Sequence, residues 1–258
     1  VSPPTMVGSG YYPYADYDLA YHDGRLWVVW IERNTQMLIQ EFTTDQGTPL
    51  NTTPRPLTTM NNQKFGLDIE RDDVNDGFWV LMDAEDSEGW RSLWVGFLRG
   101  EGGDVSFTDL YAGAAASPTL VSNGTGATIF YVDRGLIPEE ITHHTVHLND
   151  SGAVELTRHM NVGVVRDSDD DLSAASSGTE VALVWNDGDL LYLQAFDAWG
   201  TTLNDPAVVL SDFNWTSTNA SISWTEMNYI IAWQELEQSS SNPERRVTYQ
   251  FFQYCPVF

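Results

Sequence analysis

Residues Ala174–Asp212 read AASSGTEVALVWNDGDLLYLQAFDAWGTTLNDPAVVLSD, and Ala20–Thr58 read AYHDGRLWVVWIERNTQMLIQEFTTDQGTPLNTTPRPLT. The two stretches follow one plan. A Gly-containing turn leads into an apolar run ending in Trp, then a polar turn, then a second apolar run ending near Phe. DAWGTTL in one copy and DQGTPL in the other, each followed by a short last strand, close the unit. Trp30 and Trp185 end the first run in these copies, and Trp233 ends it in SWTEMNYIIAW. Met82 in GFWVLM and Val132 in ATIFYV hold the place in two eroded copies. Positions 30, 82, 132, 185 and 233 are 52, 50, 53 and 48 residues apart. A fixed period of this size predicts blades of a propeller or units of a solenoid.

The apolar runs are short, β-branched and aromatic, and Gly, Asn, Asp or Pro bounds them. That is strand patterning with no helical period. The turns at 22–24, 75–77, 123–126 and 186–188 have hairpin chemistry. The expected fold is all-β: a single five-bladed β-propeller of four-stranded blades spanning residues 1–258. The blades are expected at about 11–60, 61–115, 116–164, 165–213 and 214–258. The fifth lacks a fourth strand of its own, so Thr5–Val7 within residues 1–10 is expected to close it. Closure removes an exposed edge.

Composition bounds the partners. There are 37 acidic and 12 basic residues, net charge −25, and Lys64 is the only lysine. Such a charge repels nucleic acid and anionic membranes. Cys255 is the single cysteine, so no intrachain disulfide can form. No apolar run approaches the ~18 residues of a membrane helix. Val1 in place of Met, with a polar, lysine-poor composition, gives the expectation of a processed, extracellular bacterial protein.

The pattern "apolar run–W, then φ-x-Q-x-F-D-x-x-G-x-x-L" resembles repeats of secreted myxobacterial and related proteins. It is sharp in the first and fourth copies. Size and blade count are similar to the tachylectin-2 type lectins, whose sugar-binding residues have no matching motif here. Five blades also resemble the arabinanase-like glycoside hydrolases. That resemblance implies two Asp and one Glu on separate blades at the central channel, with a central His. No Glu holds a comparable position in blades three to five, and His22 falls in an outer hairpin.

Counting fourteen residues back from the end of strand two gives Asp16, Asp68, Pro118, Asp171 and Asn219, with Asp18, Glu70, Asp169 and Asp170 beside them. Converging carboxylates can bind Ca²⁺, accept sugar hydroxyls or act as an acid–base pair. Acids at strand starts also cap turns. Asp169, Asp170 and Asp171 form an oxygen-rich run that suits Ca²⁺, but both this run and Asp68–Gly77 lack the order of a known calcium loop and are read as solvated turns; no cofactor is expected unless it is Ca²⁺. Trp90 and Trp199 stand outside the strand pattern and could stack on sugar rings. His144 and His147 on one strand point to opposite faces, against a metal site. No nucleophile elbow, P-loop, zinc motif or dinucleotide fingerprint occurs. The leading expectation is a non-catalytic, lectin-like module binding carbohydrate through Asp16, Asp68, Asp171, Asn219, Trp90 and Trp199. The alternatives are a five-bladed glycoside hydrolase using Asp16, Asp68 and Asp171, and an adhesive module that binds another protein.

Overall fold

The computed structural model describes residues 16–33, 35–45, 47–51, 53–58, 63–85, 91–99, 105–113, 115–165, 172–238 and 244–253. Every regular element among them is a β-strand. The strands form five antiparallel meanders in chain order. The first holds β1 (Tyr17–His22), β2 (Arg25–Glu32), β3 (Gln36–Thr43) and β4 (Arg55–Pro56). The second holds β5 (Lys64–Asp72), β6 (Gly77–Glu85), β7 (Arg91–Arg99) and β8 (Phe107–Ala112). The third is β9 (Ala115–Ser122), β10 (Ala127–Asp133), β11 (Glu139–Leu148) and β12 (Val154–Val165). The fourth is β13 (Leu172–Ser176), β14 (Glu180–Asp187), β15 (Leu190–Asp197) and β16 (Val208–Val209). The fifth has three strands among the described residues: β17 (Trp215–Trp224), β18 (Tyr229–Glu237) and β19 (Arg245–Phe252). The expected closing strand at Thr5–Val7 lies outside the described residues.

The chain divides into two compact units at Leu120/Val121, and the hairpin Leu148–Val154 goes with the first. In the first unit the core lies between the sheets of β1–β4 and β5–β8. Trp27, Val29 and Ile31 from β2 meet Leu67 and Ile69 from β5, and Phe78, Val80 and Met82 from β6. In the second unit Ala182 and Val184 from β14 meet Tyr229, Ile231 and Trp233 from β18. Strand two of the second, third and fourth meanders is buried along nearly its whole length, whereas β18 alternates between buried and partly exposed residues. Trp30, Trp185 and Trp233 are all buried, as the repeat predicts.

The acidic turn after β5 is a structural device. Asp72 is buried and accepts from the backbone N–H of Val74 and Asn75, from Asn75 Nδ2 and from Trp79 Nε1. Its carboxylate replaces the missing ladder partners of the hairpin, an Asx-type cap. The turn is confined to residues 73–76, and Asp68–Asp72 belongs to β5.

Candidate active site

Strand one of each meander carries the acids, and the strand register shows which of them correspond. Asp18 pairs with Val29, Asp68 with Leu81, Ser173 with Val184 and Ser221 with Ala232. These are the equivalent positions. The expected set of Asp16, Asp68, Asp171 and Asn219 is corrected to Asp18, Asp68, Ser173 and Ser221. The reason is hairpin length. The β1–β2 hairpin turns through two residues after His22↔Arg25, whereas β5–β6 turns through four after Asp72↔Gly77. A constant count of fourteen absorbs that difference in the wrong place. Asn219 sits at the bulge between Thr218 and Ser221 with φ 52°, and it is exposed. A short polar side chain is what such a backbone tolerates.

Three of the equivalent side chains make the same bond. Asp18 Oδ2 accepts from Ile69 N at 2.8 Å, Asp68 Oδ2 from Leu120 N at 2.7 Å, and Ser173 Oγ from Ile222 N at 3.2 Å. Each thus reaches the backbone of strand one in the following meander, 51, 52 and 49 residues on. Asp16 adds a parallel bond, accepting Leu67 N at 3.0 Å. Strand alternation fixes this geometry. Asp16 and Asp18 share one face of β1, and Tyr17, Leu19 and Tyr21 stand exposed on the other.

The first unit gathers four carboxyl groups in this way: Asp16, Asp18, Asp68 and Glu70. The side chains of Asp18 and Asp68 are hydrogen-bonded to each other. Two carboxyl oxygens can bond only through a proton. Burial, then the Asp18 bond and charge, hold Asp68 well above the usual carboxylate range, so the proton resides there. Burial, then the charges of Asp18 and Asp73, push Glu70 up to about 7. Burial also raises Asp16, against the lowering effect of the Leu67 and Tyr17 N–H groups. The cluster therefore offers a proton donor at neutral pH, and Asp18 as an acceptor. Environments that push paired carboxyls apart mark acid and base roles.

The remaining expected site residues divide in two. Asp169, Asp170, Asp171 and Trp90 lie outside the described residues. Trp199 is 61% exposed, with its N–H held by Asp197 Oδ1 in the turn after β15. Among the described residues no three His, Cys, Asp or Glu side chains are grouped to hold a metal ion. Asp18 and Glu70, which the count of fourteen placed beside the set, are the acids that interact with Asp68. The signal for Asp18 was present: it precedes Trp30 by twelve residues, as Ser173 precedes Trp185 and Ser221 precedes Trp233.

No family model matches the sequence, and no curated protein matches it. Solved structures do. Polysaccharide lyase Uly1 is similar at TM-score 0.56 and 7% identity, over 93% of this chain and 57% of that one. The exo-β-1,3-galactanase of Phanerochaete chrysosporium, solved with β-1,3-galactotriose, is similar at TM-score 0.51 and 10% identity, over 91% and 66%. A GH43_1 enzyme from Xanthomonas citri aligns over 94% and 91% at 11% identity, with TM-score 0.47. The chain has a five-bladed β-propeller fold. The preference for a non-catalytic lectin is corrected here, because the two of these structures above TM-score 0.5 are a polysaccharide lyase and a galactanase.

Proposed function

We propose that the protein is a glycoside hydrolase of the five-bladed type that cleaves neutral polysaccharide. The observation that carries this reading is the hydrogen-bonded pair Asp18–Asp68 with Glu70, at about 7, beside it. A general acid works best with a pKa near the operating pH. Glu70 is half-protonated near neutrality and half-buried, so it can deliver a proton to a glycosidic oxygen as the leaving group departs. Asp18 takes the proton from the attacking water. Asp68, protonated, holds the Asp18 carboxylate in position and adds no second negative charge beside it. Ile69 N fixes the other side of Asp18 at 2.8 Å. Two carboxyl groups with opposed roles are the minimum for glycoside hydrolysis.

Charge sets the substrate class. The Asp18 carboxylate, on a chain of net charge −25, repels uronic and sialic acids. Neutral sugars meet no such penalty. An extracellular setting, where polysaccharides are encountered, belongs to the same proposal.

The test is a release assay. The protein is incubated with arabinan, xylan, β-1,3-galactan and, as the anionic control, polygalacturonate, and new reducing ends are measured. Release from a neutral polysaccharide is expected, with a loss of roughly 10²–10⁴-fold in Asp18→Asn. Release that survives Asp18→Asn unchanged, or from polygalacturonate alone, overturns the reading.

A further inference from the structure

Consecutive meanders share their cores in one way. Met37 and Ile39 of β3 lie in one core with Leu67, Ile69 and Val80 of the second meander. Leu191 and Leu193 of β15 lie in one core with Ile222 and Ile231 of the fifth. Strand three of a meander thus offers an apolar face, and strands one and two of the next receive it.

One face of each kind is left open. On β19, Val247, Tyr249 and Phe251 alternate onto one face and are exposed. Tyr249 stands opposite Ala232, as Ile39, Val95 and Leu193 stand opposite Val29, Leu81 and Val184. Those three counterparts are at most 2% exposed, and Tyr249 is 68% exposed. The fifth meander therefore offers a face of the same kind with nothing upon it. On β1, Tyr17, Leu19 and Tyr21 are exposed. Leu19 stands opposite Val28, as Ile69 and Ile222 stand opposite Val80 and Ile231. Ile69 and Ile222 are 2% and 6% exposed, and Leu19 is 53%. The first meander therefore has a receiving face that receives nothing. Contiguous apolar side chains left open on a protein surface mark an interaction site.

Charge fits these two faces to each other. Where the first meander meets the second, Lys64 Nζ donates to the Thr35 carbonyl, and Lys64 is the ladder partner of Ala84. Thr35 precedes Ile39 by four residues, and Arg245 precedes Tyr249 by four. Ala84 follows Leu81 by three residues, and Glu32 follows Val29 by three. Arg245 is exposed on the side of Val247 and Tyr249, and Glu32 is half-buried on the side of Trp30. A cation on the offering face and an anion on the receiving face thus hold positions that adjoin in the first core.

We propose that the open face of the fifth meander is covered by the first meander of a second copy of this chain. Val247, Tyr249 and Phe251 of one copy pack on Tyr17, Leu19 and Tyr21 of the other, with Arg245 beside Glu32. The choice of a second copy rests on the exposure of both faces within the single chain. The contact is heterologous, so two copies that exchange it both ways form a closed dimer. It is independent of the catalytic reading.

The test is sedimentation equilibrium of the full chain over a range of concentrations. A mass rising to that of a dimer is expected. Tyr249→Asp, at an exposed side chain that the fold does not need, should raise the dimer Kd about tenfold or more. Arg245→Glu should also weaken the dimer, by placing two carboxylates together, and Arg245→Glu combined with Glu32→Arg should restore it. A monomeric mass at every concentration overturns the proposal. So does a dimer that is indifferent to Tyr249→Asp, or one weakened by Arg245→Glu that Glu32→Arg fails to restore, because either would use another surface.

Discussion

Glu70 is the residue whose chemistry differs most usefully from its ordinary state. Its folded pKa of about 7 lies above the reference value of 4.5. The folded chain therefore binds a proton more tightly than the unfolded one. Stability from this group is fully present below about pH 4.5 and is lost as pH rises through about 7. The difference corresponds to about 3 kcal/mol. Glu235 works in the opposite sense. Burial raises it, but bonds from Thr248 and Arg246, both 2.6 Å, and from Trp233 bring it below its reference, so its contribution is lost in acid. Comparing wild type with Glu70→Gln cancels Glu235. Thermal melts across this range should show the wild type losing stability with rising pH more steeply than the variant. Parallel curves would mean that Glu70 titrates as an ordinary surface carboxylate. None of this was legible in the sequence. D-I-E shows two acids on one strand face, but not that Asp18, fifty residues away, shares a proton with one of them.

At the scale of the element, most of the architecture could be read in advance. The alternation of RLWVVW, EVALVW and YIIAW, with Gly and Asn turns between, specifies the strands and their hairpins. It also places Trp30, Trp185 and Trp233 inside. The part that could not be read was register between meanders, because loop length decides it and a two-residue difference at Asn75–Asp76 is invisible to a fixed count. The structure supplies the link: strand one of the first, second and fourth meanders reaches the next through a side-chain acceptor. Core packing and these brackets should separate by energy. Trp233→Ala, in the apolar layer between β14 and β18, should cost about 3–5 kcal/mol. Ser173→Ala, which removes only the acceptor for Ile222 N, should cost about 1 kcal/mol. Denaturant midpoints measure both. A Ser173→Ala cost as large as that of Trp233→Ala would show that the bracket, not the apolar layer, holds the meanders together.

For the molecule as a whole, the period of about fifty residues specified the β-propeller, because a repeat that cannot bury its own apolar faces must stack on copies of itself. The same repetition concealed function. Equivalent positions carry Asp in the first two meanders and Ser in the fourth and fifth, so what distinguishes a site from a bracket is burial and proton sharing, which no repeat pattern encodes. The acidic charge was legible in the composition. Its concentration around Asp18, Asp68 and Glu70, where crowding changes the chemistry of the groups, emerged only in three dimensions.

The most direct measurement of the catalytic claim is the rate of reducing-end release against pH, for wild type and Glu70→Gln on the same neutral polysaccharide. If Glu70 is the general acid, the wild-type rate falls as pH rises through about 7. Glu70→Gln should then lose about 10²-fold or more near neutral pH, and that alkaline limb with it. The melting temperature near pH 5 should stay close to that of the wild type. A Glu70→Gln enzyme that keeps the wild-type rate and the same alkaline limb would contradict the account.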